Sequence, residues 1–301
     1  MLEISHVGKK FAKLQALQDV TFDVKDGSKC LLIGSNGAGK TTLVKCIVGL
    51  LRYSGVIRVD GLDALSEGKK ARGKIGYVPQ AFNLYDKLAV EEQAHLTAKL
   101  KGVGGDSIES NLRLMDMWDA RRKRVGELSH GMRQRLSIAL ALFGDPALLI
   151  FDEPLSSIDL KGRLEFESIL RRVGEMAKTV LISTHLPGLS GAVETAVIID
   201  RGRVVAKGSP RELLTGIGSK DKLYLKFTPN LRAQAQRFLS DKKLVVETEG
   251  EWLRISVDSN SKMEILDSLV RGGYKMEDMV VEPSTIESAY VDLIGSVEQP
   301  H

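Results

Sequence analysis

Short apolar runs recur along the first two hundred residues at strand length, and stretches with three-and-four apolar spacing separate them. Residues 2–7 and 20–24 read as strands of alternating character. Residues 30–33 form a compact apolar strand that ends in a glycine-rich turn, and residues 41–51 continue as an amphipathic helix. Residues 54–59 are a further strand, with Gly55 and the Asp60–Gly61 pair as turn punctuation. From about 88 to 143 the pattern is mainly helical, broken by Gly102, Gly104 and Gly105. Apolar runs at 147–151 and 179–183 flank a helical segment at 161–177, and residues 197–200 and 204–206 read as a hairpin about Arg201–Arg203. Strands alternating with helices predict an α/β fold with a largely parallel central sheet, and the early strands add an antiparallel layer.

After residue 215 the pattern restarts. Strands at 223–227, 244–248, 252–257 and 275–281 alternate with helices at 231–239 and 262–270 in the order β-α-β-β-α-β. A last helix is expected at 284–294. Two domains are therefore predicted, residues 1–215 and a small α+β domain at 216–301. Charge supports the division: residues 216–301 carry 11 Lys and Arg against 14 Asp and Glu, leaving 32 against 25 before them, within a net +4. That mild imbalance gives no reason to expect a nucleic-acid partner. No apolar run approaches the roughly 20 residues of a spanning helix, and the polar first 25 residues predict no secretory leader. Cys30 and Cys46 sit in apolar stretches without metal-ligand spacing and read as reduced core residues of a cytosolic protein. The basic run ARRKR at 120–124 reads as a solvated face.

Candidate chemistry starts at GSNGAGKTT: Gly34, Ser35, Asn36, Gly37, Ala38, Gly39, Lys40, Thr41 and Thr42. It fits G-x-x-x-x-G-K-[ST] between a strand and a helix, the context in which backbone N–H groups converge on phosphate oxygens. Lys40 would reach the terminal phosphates and the Thr41 hydroxyl would ligate Mg²⁺. In LLIFDEP, a buried strand would deliver Asp152 beside that loop to hold the Mg²⁺, with Glu153 placed to orient or deprotonate a water. A Ser-His-Gly tripeptide in LSHGMRQRL marks a second helix mouth suited to an anion.

The order phosphate loop, LSHGMRQRL, LLIFDEP, ISTH resembles the ATP-binding subunits of ABC transporters over about residues 1–215. The resemblance implies a P-loop ABC-type ATPase domain with a helical subdomain near 88–143, working as two subunits packed head to tail. Ser129 and Gly131 would then cover the γ-phosphate of ATP held by the partner subunit. Phe11, in KKFAKLQAL, matches the adenine-stacking aromatic; Gln80, in GYVPQ, the glutamine that senses Mg²⁺ and the attacking water; Asp159, in SSID, a loop that touches the partner; and His185 the switch histidine that contacts the γ-phosphate and positions Glu153. His130 and Met132 depart from the family's Leu-Ser-Gly-Gly-Gln motif, and Leu140 and Leu155 stand where arginine and threonine are common. None of these removes a residue that performs hydrolysis, so an active ATPase is expected.

LYDKLAVEE, GMRQR and the closing VEPSTIESAYVDLIG resemble the exporter branch of drug-resistance and sodium-efflux ATPases. The implied assembly is a homodimer or related heterodimer bound to separate multi-spanning permease subunits, peripheral to the cytoplasmic face of the membrane. A non-transport ABC ATPase of translation, repair or cofactor assembly is the alternative, and a nucleotide-dependent regulator that barely hydrolyses is a third. Residues 219–301 leave open whether they are a structural appendage or a regulatory module.

Overall fold

The structure is a computed structural model that describes residues 1–156, 160–185, 189–218, 220–258 and 260–286. It divides into two compact units, Met1–Pro210 and Arg211–His301. The first unit runs through β1 (Leu2–Phe11), β2 (Leu14–Val24), β3 (Lys29–Ile33), α1 (Lys40–Ile47), β4 (Ser54–Val59), β5 (Leu62–Asp63), α2 (Gly68–Gly73) and β6 (Ile75–Val78). It continues with α3 (Val90–Lys101), α4 (Ser107–Leu114), α5 (His130–Ala141), β7 (Leu148–Asp152), α6 (Leu160–Glu175), β8 (Thr179–Thr184), β9 (Thr195–Asp200) and β10 (Arg203–Gly208).

Two sheets result, and their burial explains their sequences. One has the order β10-β9-β3-β8-β7-β6. Its strands β9, β3, β8, β7 and β6 pair in parallel, and β10 closes one edge antiparallel. Every residue of β7 and β8 is buried, as both faces of a parallel sheet covered by helices require, so these strands read as continuous apolar runs. The other sheet, β2-β1-β4-β5, is antiparallel. Phe22 and Val24 of β2 point into the core while Asp23 stays exposed, the alternation of a sheet wet on one face. Leu17, Phe22, Leu32, Leu43, Ile47, Ile57, Ile150 and Leu181 join in one core between the layers.

Several elements differ from the sequence expectation. The helix expected at 41–51 stops at Ile47, because Gly49 turns left-handed (φ 75°) and the Leu50 N–H reaches back to the Lys45 carbonyl at 2.8 Å. Between α4 and α5 the chain makes turns and one short 3₁₀ turn at Val125–Glu127, not α-helix. Strand β6 was not expected; four residues are too few to show a period, and its position is fixed by pairing with β7.

Helix α7 (Pro210–Ile217) begins at the division between the units. The second unit then contains β11 (Asp221–Phe227), α8 (Pro229–Asp241), β12 (Val246–Glu249), β13 (Trp252–Val257), α9 (Lys262–Arg271) and β14 (Met276–Glu282). All its strand pairs are antiparallel, in the order β12-β13-β11-β14. This is the split β-α-β topology that the restarted pattern predicts. Leu223, Leu225, Phe227, Leu253, Ile255 and Val257 face α8 and α9 through Ala235, Leu239, Ile265 and Leu269. The helix expected at 284–294 lies almost wholly outside the described residues.

Among the described residues no helix is long and apolar enough to cross a membrane. Both cysteines are buried and free, and burial pushes each thiol up to about 11. A thiol titration of the native protein at neutral pH is accordingly expected to stay silent until denaturant is added; prompt reaction of either cysteine would contradict the buried placement. Phe166 of α6 is fully buried and meets Phe151 of β7 edge-on at 5.4 Å. Phe166→Ala should lower unfolding stability by about 3–5 kcal/mol in urea titrations, and Phe166→Leu by much less.

Candidate functional site

Strand β3 ends at Ile33 and α1 starts at Lys40, so the residues between them form a loop at the carboxyl edge of the parallel sheet. Neighbouring backbone shapes that loop. A Cβ on Gly34 would lie 2.4 Å from the Ile199 carbonyl oxygen, so only glycine fits there. Gly39 caps α1 at φ 108°, and a Cβ on it would press within 2.8 Å of the Ala16 carbonyl oxygen. The turn between β9 and β10 is sewn to the loop, with the Gly202 N–H donating to the Ala38 carbonyl at 2.9 Å. Lys40 folds back over the loop and donates to the carbonyls of Gly34 (2.7 Å) and Ser35 (3.0 Å). Its ammonium also lies 3.0 Å from Glu153 Oε1, and both side chains are almost fully buried.

The acidic pair arrives from β7. Asp152 ends the strand opposite Ser183 of β8 and is 2% exposed. Ser183 Oγ donates to Asp152 Oδ1 at 2.6 Å, and the Thr41 hydroxyl donates to the same oxygen at 3.3 Å. Burial, with the Asp152 carboxylate beside it, pushes the Tyr77 hydroxyl up to about 12. Glu153 leaves the strand with φ 51°, a left-handed conformation that its N–H stabilises by donating to Ser183 O (3.0 Å) and Oγ (3.1 Å). Glu153 Oε2 lies 2.7 Å from His185 Nδ1 and accepts the His185 N–H at 3.3 Å.

A cleft of about 490 Å³ opens above these groups. The structure brings Phe11, Asn36, Gly37, Gly39, Lys40, Thr41, Thr42, Gln80 and Glu153 together on its wall. Gly34, Ser35 and Ala38 build the loop beneath, while Asp152 adjoins through Thr41 and His185 through Glu153. Phe11 is 41% exposed, with Lys9 Nζ 4.9 Å from its ring centroid. Leu14, Gln15, Ala16, Gln18 and Arg201 also line the cleft. Leu14, Gln15 and Ala16 follow Phe11 in KKFAKLQAL, and Gln18 and Arg201 lie outside every quoted segment; β2 and the β9–β10 turn bring all five there.

Ser129 and Gly131 do not line this cleft. They start α5, where Ser129 Oγ accepts the Met132 N–H at 3.3 Å as the helix cap. The His130 ring packs 5.3 Å from that of Phe82, two residues beyond Gln80. Gln134, buried one turn into α5, donates to the Pro154 carbonyl at 2.8 Å and so ties this helix to the acidic turn. Asp159 lies outside the described residues.

Chemically, converging N–H groups at a helix N-terminus beside a lysine suit a polyphosphate. The Thr41 hydroxyl and Asp152 carboxylate are hard oxygen donors and fit Mg²⁺. A carboxylate at the cleft floor, held by an imidazole, suits a general base.

The model of the family described as "ABC transporter" matches residues 17–156. The ABC transporter ATP-binding protein NatA of Bacillus subtilis (strain 168) is 31% identical over 219 residues, covering 70% of this chain and 89% of that protein. The daunorubicin resistance ATP-binding protein DrrA3 of Streptomyces coeruleorubidus is 31% identical over 299 residues, covering 95% and 93%. The dimeric, ADP- and phosphate-bound post-hydrolysis structure of the ATP-binding cassette MJ0796 superposes with a TM-score of 0.62 at 25% identity, covering 69% of this chain and 98% of that one. The chain belongs to the family of ABC transporter ATP-binding proteins.

Proposed function

We propose that this chain binds and hydrolyses ATP as the energy-supplying subunit of an ABC exporter. The observation that carries the reading is the buried line Lys40–Glu153–His185 on the floor of the cleft. Adenine stacks on Phe11, the triphosphate lies along Gly34–Thr42, and Lys40 meets its terminal phosphates. Thr41, Asp152 and Gln80 would hold Mg²⁺, which when bound neutralises phosphate charge. Glu153, oriented by His185, accepts the proton of the water that attacks the γ-phosphorus, leaving ADP and inorganic phosphate.

Ser129 and Gly131, standing apart from the chain's own cleft, cover the γ-phosphate of a second, identical or related, subunit. ATP then favours the closed pair and hydrolysis reopens it, because the nucleotide has different affinity for the two arrangements. Separate membrane-spanning permease subunits take up that motion at the cytoplasmic face of the membrane. The name of the daunorubicin resistance relative, with the LYDKLAVEE and GMRQR segments, favours export. Residues 216–301 act as an accessory domain of the subunit.

Glu153→Gln removes the base but keeps the size of the side chain. Steady-state ATP turnover should fall by about 100-fold or more, while size-exclusion chromatography with ATP and Mg²⁺ shows a dimer. A variant that stays monomeric and hydrolyses ATP at the normal rate would sink the proposal.

A further inference from the structure

Ser183 stands two residues before His185 within ISTH, where the resemblance assigns a role only to the histidine, yet its hydroxyl touches both acidic residues of the site. It is fully buried at the end of β8, directly opposite Asp152 in the parallel ladder. A hydroxyl has one proton to give and lone pairs to receive. Here the proton goes to Asp152 Oδ1 at 2.6 Å, the short distance of a charge-assisted bond. The oxygen in turn accepts the Glu153 N–H at 3.1 Å. No water reaches the group to compete with either contact, so each bond polarises and strengthens the other. The first contact stops rotation of the Asp152 carboxylate. The second holds the left-handed backbone at Glu153 (φ 51°) from which that side chain reaches Lys40 and His185.

We infer that Ser183 is a positioning residue for the hydrolytic reaction, one hydroxyl that orients the metal-binding carboxylate of Asp152 and the turn carrying Glu153 together. This rests on the ATPase reading above. Alanine leaves the Glu153 N–H its bond to the Ser183 carbonyl at 3.0 Å and leaves the Thr41 hydroxyl on Asp152, so the strand keeps its frame while both side-chain contacts vanish. Threonine keeps the hydroxyl.

The test measures binding of a fluorescent, non-hydrolysable ATP analogue to the full chain, once in EDTA and once across a Mg²⁺ titration, alongside the Mg²⁺ dependence of turnover. Ser183→Ala should bind the analogue in EDTA as the parent chain does. Its Mg²⁺ half-saturation should rise by about 10- to 100-fold, the range for losing a partner that orients a metal ligand. Ser183→Thr should return it towards the parent value. An unchanged Mg²⁺ half-saturation in Ser183→Ala overturns the inference. So does an equal loss of binding in EDTA, which marks a merely structural role. If the parent chain itself shows no Mg²⁺-dependent nucleotide binding, it is the ATPase reading that fails.

Discussion

The site depends on a pair of opposite charges held away from water. Lys40 and Glu153 stand 3.0 Å apart with 4% and 6% of their side chains exposed. Taking such charges out of solvent costs several kcal/mol per ion, which their attraction offsets only when further hydrogen bonds satisfy both groups. Those bonds are present. The carbonyls of Gly34 and Ser35 accept from the ammonium, and His185 meets the other carboxylate oxygen. The phosphate loop, the end of β7 and the end of β8 are thus bound to one another by a charge that none of them satisfies alone.

Sheet order makes that arrangement possible. Strands β3, β8 and β7 are adjacent and parallel, so the loop after β3, His185 after β8 and the acidic pair at β7 emerge at one edge. Ligands of open parallel sheets bind at this carboxyl edge. The antiparallel layer supplies the other wall of the cleft with Phe11, Leu14, Gln15 and Ala16.

Helix α5 links this centre to the exposed Ser129 and His130 at its start. Ser129 caps its start, Gln134 bonds to Pro154, and Lys101 donates to the Ala141 and Phe143 carbonyls at its far end. Burial pushes Lys101 down to about 8, the electrostatic cost of closing the end of a buried helix with a lysine. Beside the cap, the His130 ring packs against that of Phe82. The chain just after Gln80 is thus in contact with the first turn of α5.

Features whose cause is local were legible in the sequence. The glycines and Lys40 of the phosphate loop, the buried run ending in Asp152, and the β-α-β-β-α-β order of the second unit follow from residue spacing within one or two elements. Tertiary structure decided the rest. It paired β6 into the sheet, carried Arg201 to the cleft and set Ser183 against Asp152. Thr41 and Asp152 are 111 positions apart, and no local pattern can specify the distance between their oxygens. Only the packing of neighbouring parallel strands does so, because it fixes which strand ends stand side by side and which side chains share the buried space between them.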